Sequence, residues 1–232
     1  MRRAVTLLVA ALALAGCVNP PPATPPIVAP RPTDVGPENT NASRLREVRA
    51  YTVRIRNLTC GNLLLGTGWA INRRTIVTNR HVIASARRLE VETWDGRSLA
   101  VASAEQAIGP DLAIIHLAED APVVAPGITS GDPKLQTPVH LIGYPFGRVP
   151  NQYTGVVVQY VKKRVLDPSG TVMLMSGNAF PGNSGSPVVN DRGRVVGVTY
   201  AYQPATGRII AEPVSRLRPL LKGTGLTPVV PC

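Results

Sequence analysis

The 232-residue sequence has little cysteine, few aromatic residues and little lysine, and no apolar run long enough to cross a bilayer as a helix. Three cysteines are too few for a disulfide-built scaffold. None stands with His, Asp or Glu at zinc-ligand spacing, so neither a metal nor any other cofactor is expected. The two Trp, six Tyr and two Phe form no stacking platform, which argues against nucleic acid as a partner despite a formal charge of +11. The basic residues are almost all Arg, spread along the chain, with Lys only at positions 134, 162, 163 and 222. No internal repeat is present, and long helical periodicity is absent, which excludes a helical bundle. What remains is 44% apolar, too much for a disordered chain and enough for one or two folded domains.

The N-terminal part reads as an address followed by a spacer. Met1-Arg2-Arg3 is positive, and Ala4–Ala15 is apolar except for Thr6. That run falls short of the roughly 20 residues a membrane helix needs and has the layout of a secretory signal. Its end, Leu14-Ala15-Gly16-Cys17, resembles the lipobox of bacterial lipoproteins. The resemblance implies cleavage before Cys17, a thioether lipid on its sulfur and acylation of the new N-terminus. An ordinary signal peptide with an incidental Cys is the alternative. Two or three chains would anchor the protein stably, where one would not. Eight of the 23 prolines lie between Pro20 and Pro37, so residues 17–44 are read as a disordered spacer reaching roughly 60–80 Å from the lipid.

From residue 45 onward, short β-branched runs alternate with turn signals. In Tyr51–Arg56, Val53 and Ile55 share one face, Arg54 and Arg56 the other. Further runs are Leu63–Ile71, Thr75–Thr78, Leu89–Thr93, Leu99–Ala104 and Leu112–Leu117. A second set comprises Val139–Ile142, Tyr153–Val161, Thr171–Met175, Pro187–Val189, Val195–Tyr200 and Ile209–Ala211. Asp95-Gly96 and Asp191-Arg192-Gly193 supply hairpin turns. The expected fold is all-β: two six-stranded antiparallel barrels, residues 45–121 and 122–222, with a short helix in Val214–Lys222.

Three segments carry chemistry. His81 follows the strand Ile76-Val-Thr at Asn79-Arg80, Asp111 opens the apolar strand Leu112–Leu117, and Ser184 sits in Phe180-Pro-Gly-Asn-Ser-Gly-Ser-Pro187. A serine hydroxyl is a weak nucleophile and needs a base near neutrality; the base needs an anion to fix its tautomer. Backbone N–H groups must meet the oxyanion, and in the turn Gly182-Asn183-Ser184 those of Gly182 and Ser184 are the expected donors. The order His…Asp…Ser is that of chymotrypsin, not of subtilisins or α/β-hydrolases, and Ser186 breaks the G-x-S-x-G pattern. His116 and His140 are read as structural.

Gly66-Thr-Gly-Trp, Thr78-Asn-Arg-His81-Val, Asp111-Leu-Ala, Gly143-Tyr-Pro-Phe-Gly147 and Gly182-Asn-Ser-Gly-Ser-Pro187 together resemble the bacterial trypsin-like serine peptidases, relatives of the high-temperature-requirement heat-shock proteases. The resemblance covers Arg49–Leu221. It implies peptide-bond hydrolysis through an acyl-enzyme, with His81 as general base and acid, Asp111 orienting it and Ser184 the nucleophile. It also places the specificity pocket between Asn178 and the strand carrying Val198, Thr199 and Tyr200. No carboxylate occurs in either stretch, so cleavage after a small or medium uncharged residue is expected. Asn183 stands where zymogen-activated trypsins have an acid, which disfavours activation by an inserted N-terminus. About ten residues follow Lys222, so no PDZ module is expected. A catalytically silent envelope-binding or scaffold protein on the same fold is the alternative.

With Cys17 assigned to lipid, Cys60 and Cys232 are expected to pair outside the cytoplasm; two free thiols are the alternative. Arg44, Arg46, Arg49, Arg54 and Arg56 form a basic cluster behind the spacer. An anionic envelope surface would be its partner; solvated strand faces are the preferred reading.

Overall fold

The computed structural model describes residues 47–162 and 170–232. The segments read from sequence as signal peptide and spacer, with Cys17, Arg44 and Arg46, lie outside the described residues.

Among the described residues fourteen strands alternate with turns, and they sort into two sheets. The first contains β1 (Thr52–Leu58), β2 (Leu63–Asn72), β3 (Thr75–Thr78), β4 (Arg88–Thr93), β5 (Ser98–Leu99), β6 (Val101–Ala107) and β7 (Ala113–Leu117). The second contains β8 (Pro138–Gly143), β9 (Asn151–Lys162), β10 (Thr171–Ser176), β11 (Pro187–Asn190), β12 (Val195–Gln203) and β13 (Arg208–Pro213). The last strand, β14 (Leu226–Pro228), returns to the first sheet and pairs with β6.

The second sheet closes into a six-stranded barrel in the order β10-β13-β12-β11-β8-β9. The first is a curled, open eight-stranded sheet, β14-β6-β7-β3-β2-β1-β4-β5. The expectation of six strands there is corrected by two additions at its edges. β5 pairs with β4 beyond the Asp95-Gly96 turn, and β14 covers the free side of β6. An edge is where Pro228, which has no N–H, can sit in a ladder. The C-terminal helical stretch is two pieces, a single α-turn at Val214–Leu217 and a 3₁₀ turn at Leu220–Lys222.

The alternation read in β1 holds for its apolar face, since Val53 and Ile55 are fully buried. It misleads for the other face. Arg54 is buried too, donating to Glu92 on β4 and, at 3.0 Å, to the Gly147 carbonyl of the second half. Arg56 pairs with Glu90 at 3.0 Å. Two members of the basic cluster are thereby neutralised within the β1–β4 ladder, as cross-strand ion pairs.

One apolar core fills the first half and continues across the seam, joining Ile55, Trp69, Ile76 and Ile115 to Ile142, Val198 and Leu217. A second fills the closed barrel around Leu141, Val157, Met173, Met175 and Ile209. Because the first core includes side chains from both halves, neither half completes its burial alone.

Cys60 and Cys232 are bonded, with Cα atoms 5.9 Å apart and 172 positions between them in sequence. In the chain-entropy model a closed loop of that length is worth about 5 kcal/mol. Among the described residues no helix is long and apolar enough to cross a membrane.

Candidate active site

The site lies on the seam, and each half supplies different chemistry. His81 belongs to a one-turn helix, Arg80–Ile83, directly after β3. Val82 and Ile83 anchor that turn in the core, which leaves the imidazole outside, with its side chain 47% exposed. Asp111 precedes β7, so the strand's apolar run fixes the backbone while the carboxylate, 12% exposed, stays at the sheet margin.

The two groups are tightly joined. Asp111 Oδ2 lies 2.6 Å from His81 Nδ1, and Asp111 Oδ1 accepts the His81 backbone N–H at 3.0 Å. That pairing assigns the Nδ1 proton and leaves Nε2 facing outward as the basic nitrogen. Asn79, buried beside them, donates its side-chain amide to the Asp111 carbonyl at 2.7 Å. From the second half, Glu212 Oε1 accepts the Asp111 backbone N–H at 3.0 Å.

Ser184 is presented by the turn between β10 and β11. Asn183 N–H donates to the Phe180 carbonyl at 3.0 Å, Ser186 N–H to the Asn183 carbonyl at 3.1 Å, and Phe146 N–H to the Pro181 carbonyl. With the Pro181 carbonyl turned toward Phe146, the N–H groups of Gly182 and Ser184 have no partner among the described residues. The N–H of Asn183, between them in the turn, is taken up by the Phe180 carbonyl.

Gly182 has φ +95°, and a Cβ there would stand 2.4 Å from the Tyr144 carbonyl oxygen. Only glycine fits that corner. The Ser184 hydroxyl donates to the Tyr200 carbonyl at 3.5 Å, a weak contact, and it forms no hydrogen bond with His81 in this structure.

Thr67, in the Gly66-Thr-Gly-Trp segment of β2, clamps the serine turn to the first half. Its N–H donates to the Ser184 carbonyl at 2.7 Å and its hydroxyl to the Gly182 carbonyl at 2.8 Å. Its hydroxyl also accepts Tyr144 N–H at 2.9 Å, and its carbonyl accepts the Thr78 hydroxyl at 2.7 Å. Nothing in the sequence singled out Thr67; its signal lay inside a motif whose glycines drew the attention.

Beside Ser184 opens a cavity of about 290 Å³ lined by Ala179, Phe180, Pro181, Asn183, Thr199, Ala201, Tyr202 and Pro204. No lining residue carries a carboxylate or a basic side chain. Of the four wall residues expected from sequence, Thr199 lines the cavity, and Asn178 stands at its rim, where Oδ1 accepts the Tyr202 hydroxyl at 3.1 Å. Val198 points into the core and Tyr200 is not part of the wall. Successive side chains of a strand face opposite ways, so Val198 and Tyr200 cannot share the wall that Thr199 and Ala201 line. Phe180 also packs against Phe146 and Tyr153, with ring centroids 5.8 and 5.6 Å away.

The remaining histidines are occupied elsewhere. His116 Nε2 lies 2.9 Å from Glu105, across the β6–β7 pair. His140 Nε2 lies 2.9 Å from Asp191 and its Nδ1 lies 3.2 Å from Thr154. Among the described residues no group of three or more His, Cys, Asp and Glu side chains converges as metal ligands would.

Comparison with known proteins places this geometry. The family model described as trypsin-like peptidase domain matches residues 66–198. The chain is 31% identical over 161 residues, 65% of its length, to a putative mitochondrial Do-like protease of Arabidopsis thaliana. It is 34% identical over 146 residues, 61% of its length, to a probable periplasmic DegP-like serine endoprotease of Hahella chejuensis. It spans 28% and 30% of those two curated relatives. In fold it is similar to the active form of the Rv3671c protease of M. tuberculosis, with TM-score 0.72 and 22% identity, covering 93% of this chain and 96% of that one. The family match spans more than half of the sequence and contains all three of His81, Asp111 and Ser184. The chain therefore belongs to the trypsin-like peptidase domain family.

Proposed function

We propose that the protein is an exported serine endopeptidase, held on a membrane by lipid on Cys17, that hydrolyses peptide bonds through an acyl-enzyme on Ser184. The observation that carries this reading is the arrangement at the seam: a His81–Asp111 pair from one half, and from the other a serine whose turn leaves two N–H groups free. His81 Nε2 takes the Ser184 proton as Oγ bonds to the substrate carbonyl carbon, and Asp111 stabilises the imidazolium. Gly182 and Ser184 N–H groups receive the oxyanion. The peptide C–N bond then breaks, His81 protonates the leaving amine, and water repeats the sequence to free the acid. Hydrogen bonds between nucleophile and base commonly tighten only when substrate is bound, so the Ser184 contact with Tyr200 is compatible with this.

That same contact favours a second reading, a silent binding protein on the same fold. A fluorophosphonate probe separates the two: labelling of wild type but not of Ser184→Ala is the expected result. No labelling of either protein would overturn the enzymatic reading.

The cavity beside Ser184 supports an uncharged residue before the scissile bond. Small side chains at Ala179 and Ala201 leave it room, and it holds no carboxylate for a Lys or Arg to meet. A peptide-library profile is expected to favour small or medium uncharged residues there, and dominance of Arg or Lys would refute this assignment. The anchor is checked separately by radiolabelled palmitate, which should enter wild type in the native host and not Cys17→Ala. The DegP-like relative is described as periplasmic, which supports export of this chain as well.

A further inference from the structure

The acid behind Asp111 is not used by the mechanism above. Glu212 lies near the end of β13 and is 1% exposed, among the most completely buried charged residues described. Burial of a carboxylate is costly unless it is hydrogen-bonded and paired. Here Oε1 accepts the Asp111 backbone N–H at 3.0 Å, and Oε2 lies 3.8 Å from Nε of Arg216, one helical turn further on and 18% exposed.

The bond bridges the seam between residues 101 positions apart in sequence. It also meets Asp111 where its own segment offers least. Gly109 has φ +101°, Pro110 carries no N–H, and the turn is closed from one side by Ala107 N–H on the Leu112 carbonyl at 2.9 Å. Asn79 holds the Asp111 carbonyl from the first half, so Glu212 is the matching hold on its N–H from the second.

We propose that Glu212 is a positioning residue: its carboxylate oxygen fixes the Asp111 main chain, and through it the 2.6 Å contact with His81 Nδ1, so that the base is correctly aimed only when the two halves are docked. This rests on the hydrolytic reading for its kinetic consequence but not for its geometric one. Tyr200 reports the same neighbourhood. Burial first, and then the Glu212 and Asp111 charges, raise its pKa and keep its hydroxyl protonated.

Three substitutions in the full chain separate reach from charge and from packing. Glu212→Gln keeps the acceptor and removes the charge. Glu212→Asp keeps the charge and withdraws the acceptor by one methylene. Glu212→Leu removes both. Each is read by kcat and KM on a peptide substrate and by the downfield NMR resonance of the proton shared between His81 Nδ1 and Asp111.

A misplacement on the order of 1 Å can cost about 100-fold in rate, so Glu212→Asp and Glu212→Leu are expected to lose about that factor in kcat with KM within about twofold. Both should lose or broaden the downfield resonance, while Glu212→Gln retains the resonance and most of kcat. If Glu212→Leu fails to fold, the Asp and Gln variants decide the question. A folded Asp variant with wild-type kcat and resonance would overturn the proposal, as would a Gln variant as impaired as the Asp one. If wild type neither cleaves peptide nor reacts with fluorophosphonate, the hydrolytic reading fails, and the resonance alone still tests the role of Glu212.

Discussion

Asp111→Asn is expected to lower kcat about 10,000-fold while leaving KM and the melting temperature almost unchanged. The amide is nearly isosteric with the carboxylate, and its oxygen can still accept the His81 backbone N–H, now 3.0 Å from Oδ1. What then faces Nδ1, in place of the oxygen at 2.6 Å, is an NH₂ group. A donor facing Nδ1 requires that nitrogen to carry the lone pair, which moves the proton to Nε2, the atom that must receive it from Ser184. The imidazolium also loses its counter-charge. Steady-state kinetics on the peptide that wild type cleaves best checks this, with circular dichroism to establish that the variant is folded. A loss of less than tenfold would mean that Asp111 holds His81 in place without setting its tautomer.

Gly185→Ala is expected to remove both stability and function. Gly185 has φ +87°, and a Cβ built there would stand 2.0 Å from the Thr67 carbonyl oxygen and 2.4 Å from the Thr78 hydroxyl. The first of these atoms is backbone in a central strand and cannot rotate away. The serine turn would have to back off from β2, breaking the 2.7 Å bond from Thr67 N–H to the Ser184 carbonyl. The strained φ adds its own cost. A destabilisation above about 4 kcal/mol, the range reserved for a disrupted core or backbone, is the expectation, with fluorophosphonate labelling abolished. Gly207→Ala is the control: its φ is also positive, at +59°, but nothing stands within 4 Å of the added Cβ. Strain alone should then cost about 1–2 kcal/mol. Urea denaturation of the two variants checks the contrast, and equal losses would show that the approach of Thr67 is not what requires glycine at position 185.

The contrast between these two sites bears on what could be read before the fold was known. His81, Asp111 and Ser184 were legible because their residue types, order and flanking strands converge on one chemistry. The turn Gly182-Asn183-Ser184 stood out for the same reason, its glycine and serine flanking the nucleophile position. The twelve longer strands follow from β-branched runs between turn residues. β5 and β14, with two and three residues, are too short to show a period and owe their existence to the strands they pair with. The cavity wall was misassigned at Val198 and Tyr200 because three consecutive residues of β12 were given to one wall, whereas successive side chains of a strand face opposite ways. Arg54 was placed on an open face because a strand's second face is solvated by default, whereas here the second half covers it. Thr67 and Glu212 share one reason for having been missed. Each acts on a segment roughly a hundred positions away, and neither a threonine in a strand nor a glutamate near a strand end announces such a partner.

The return of β14 to β6 has a temporal side. Thr227 donates its hydroxyl to the Gln106 carbonyl across 121 positions of sequence, and Leu226 lies opposite Ala107. A ribosome adding about 5–20 residues per second reaches the later segment on the order of ten seconds after the earlier one. Throughout that interval the outer side of β6 offers a row of unsatisfied amides to any passing extended chain. The edge thus stays open after His81, Asp111 and Ser184 have all been made, and only β14 seals it.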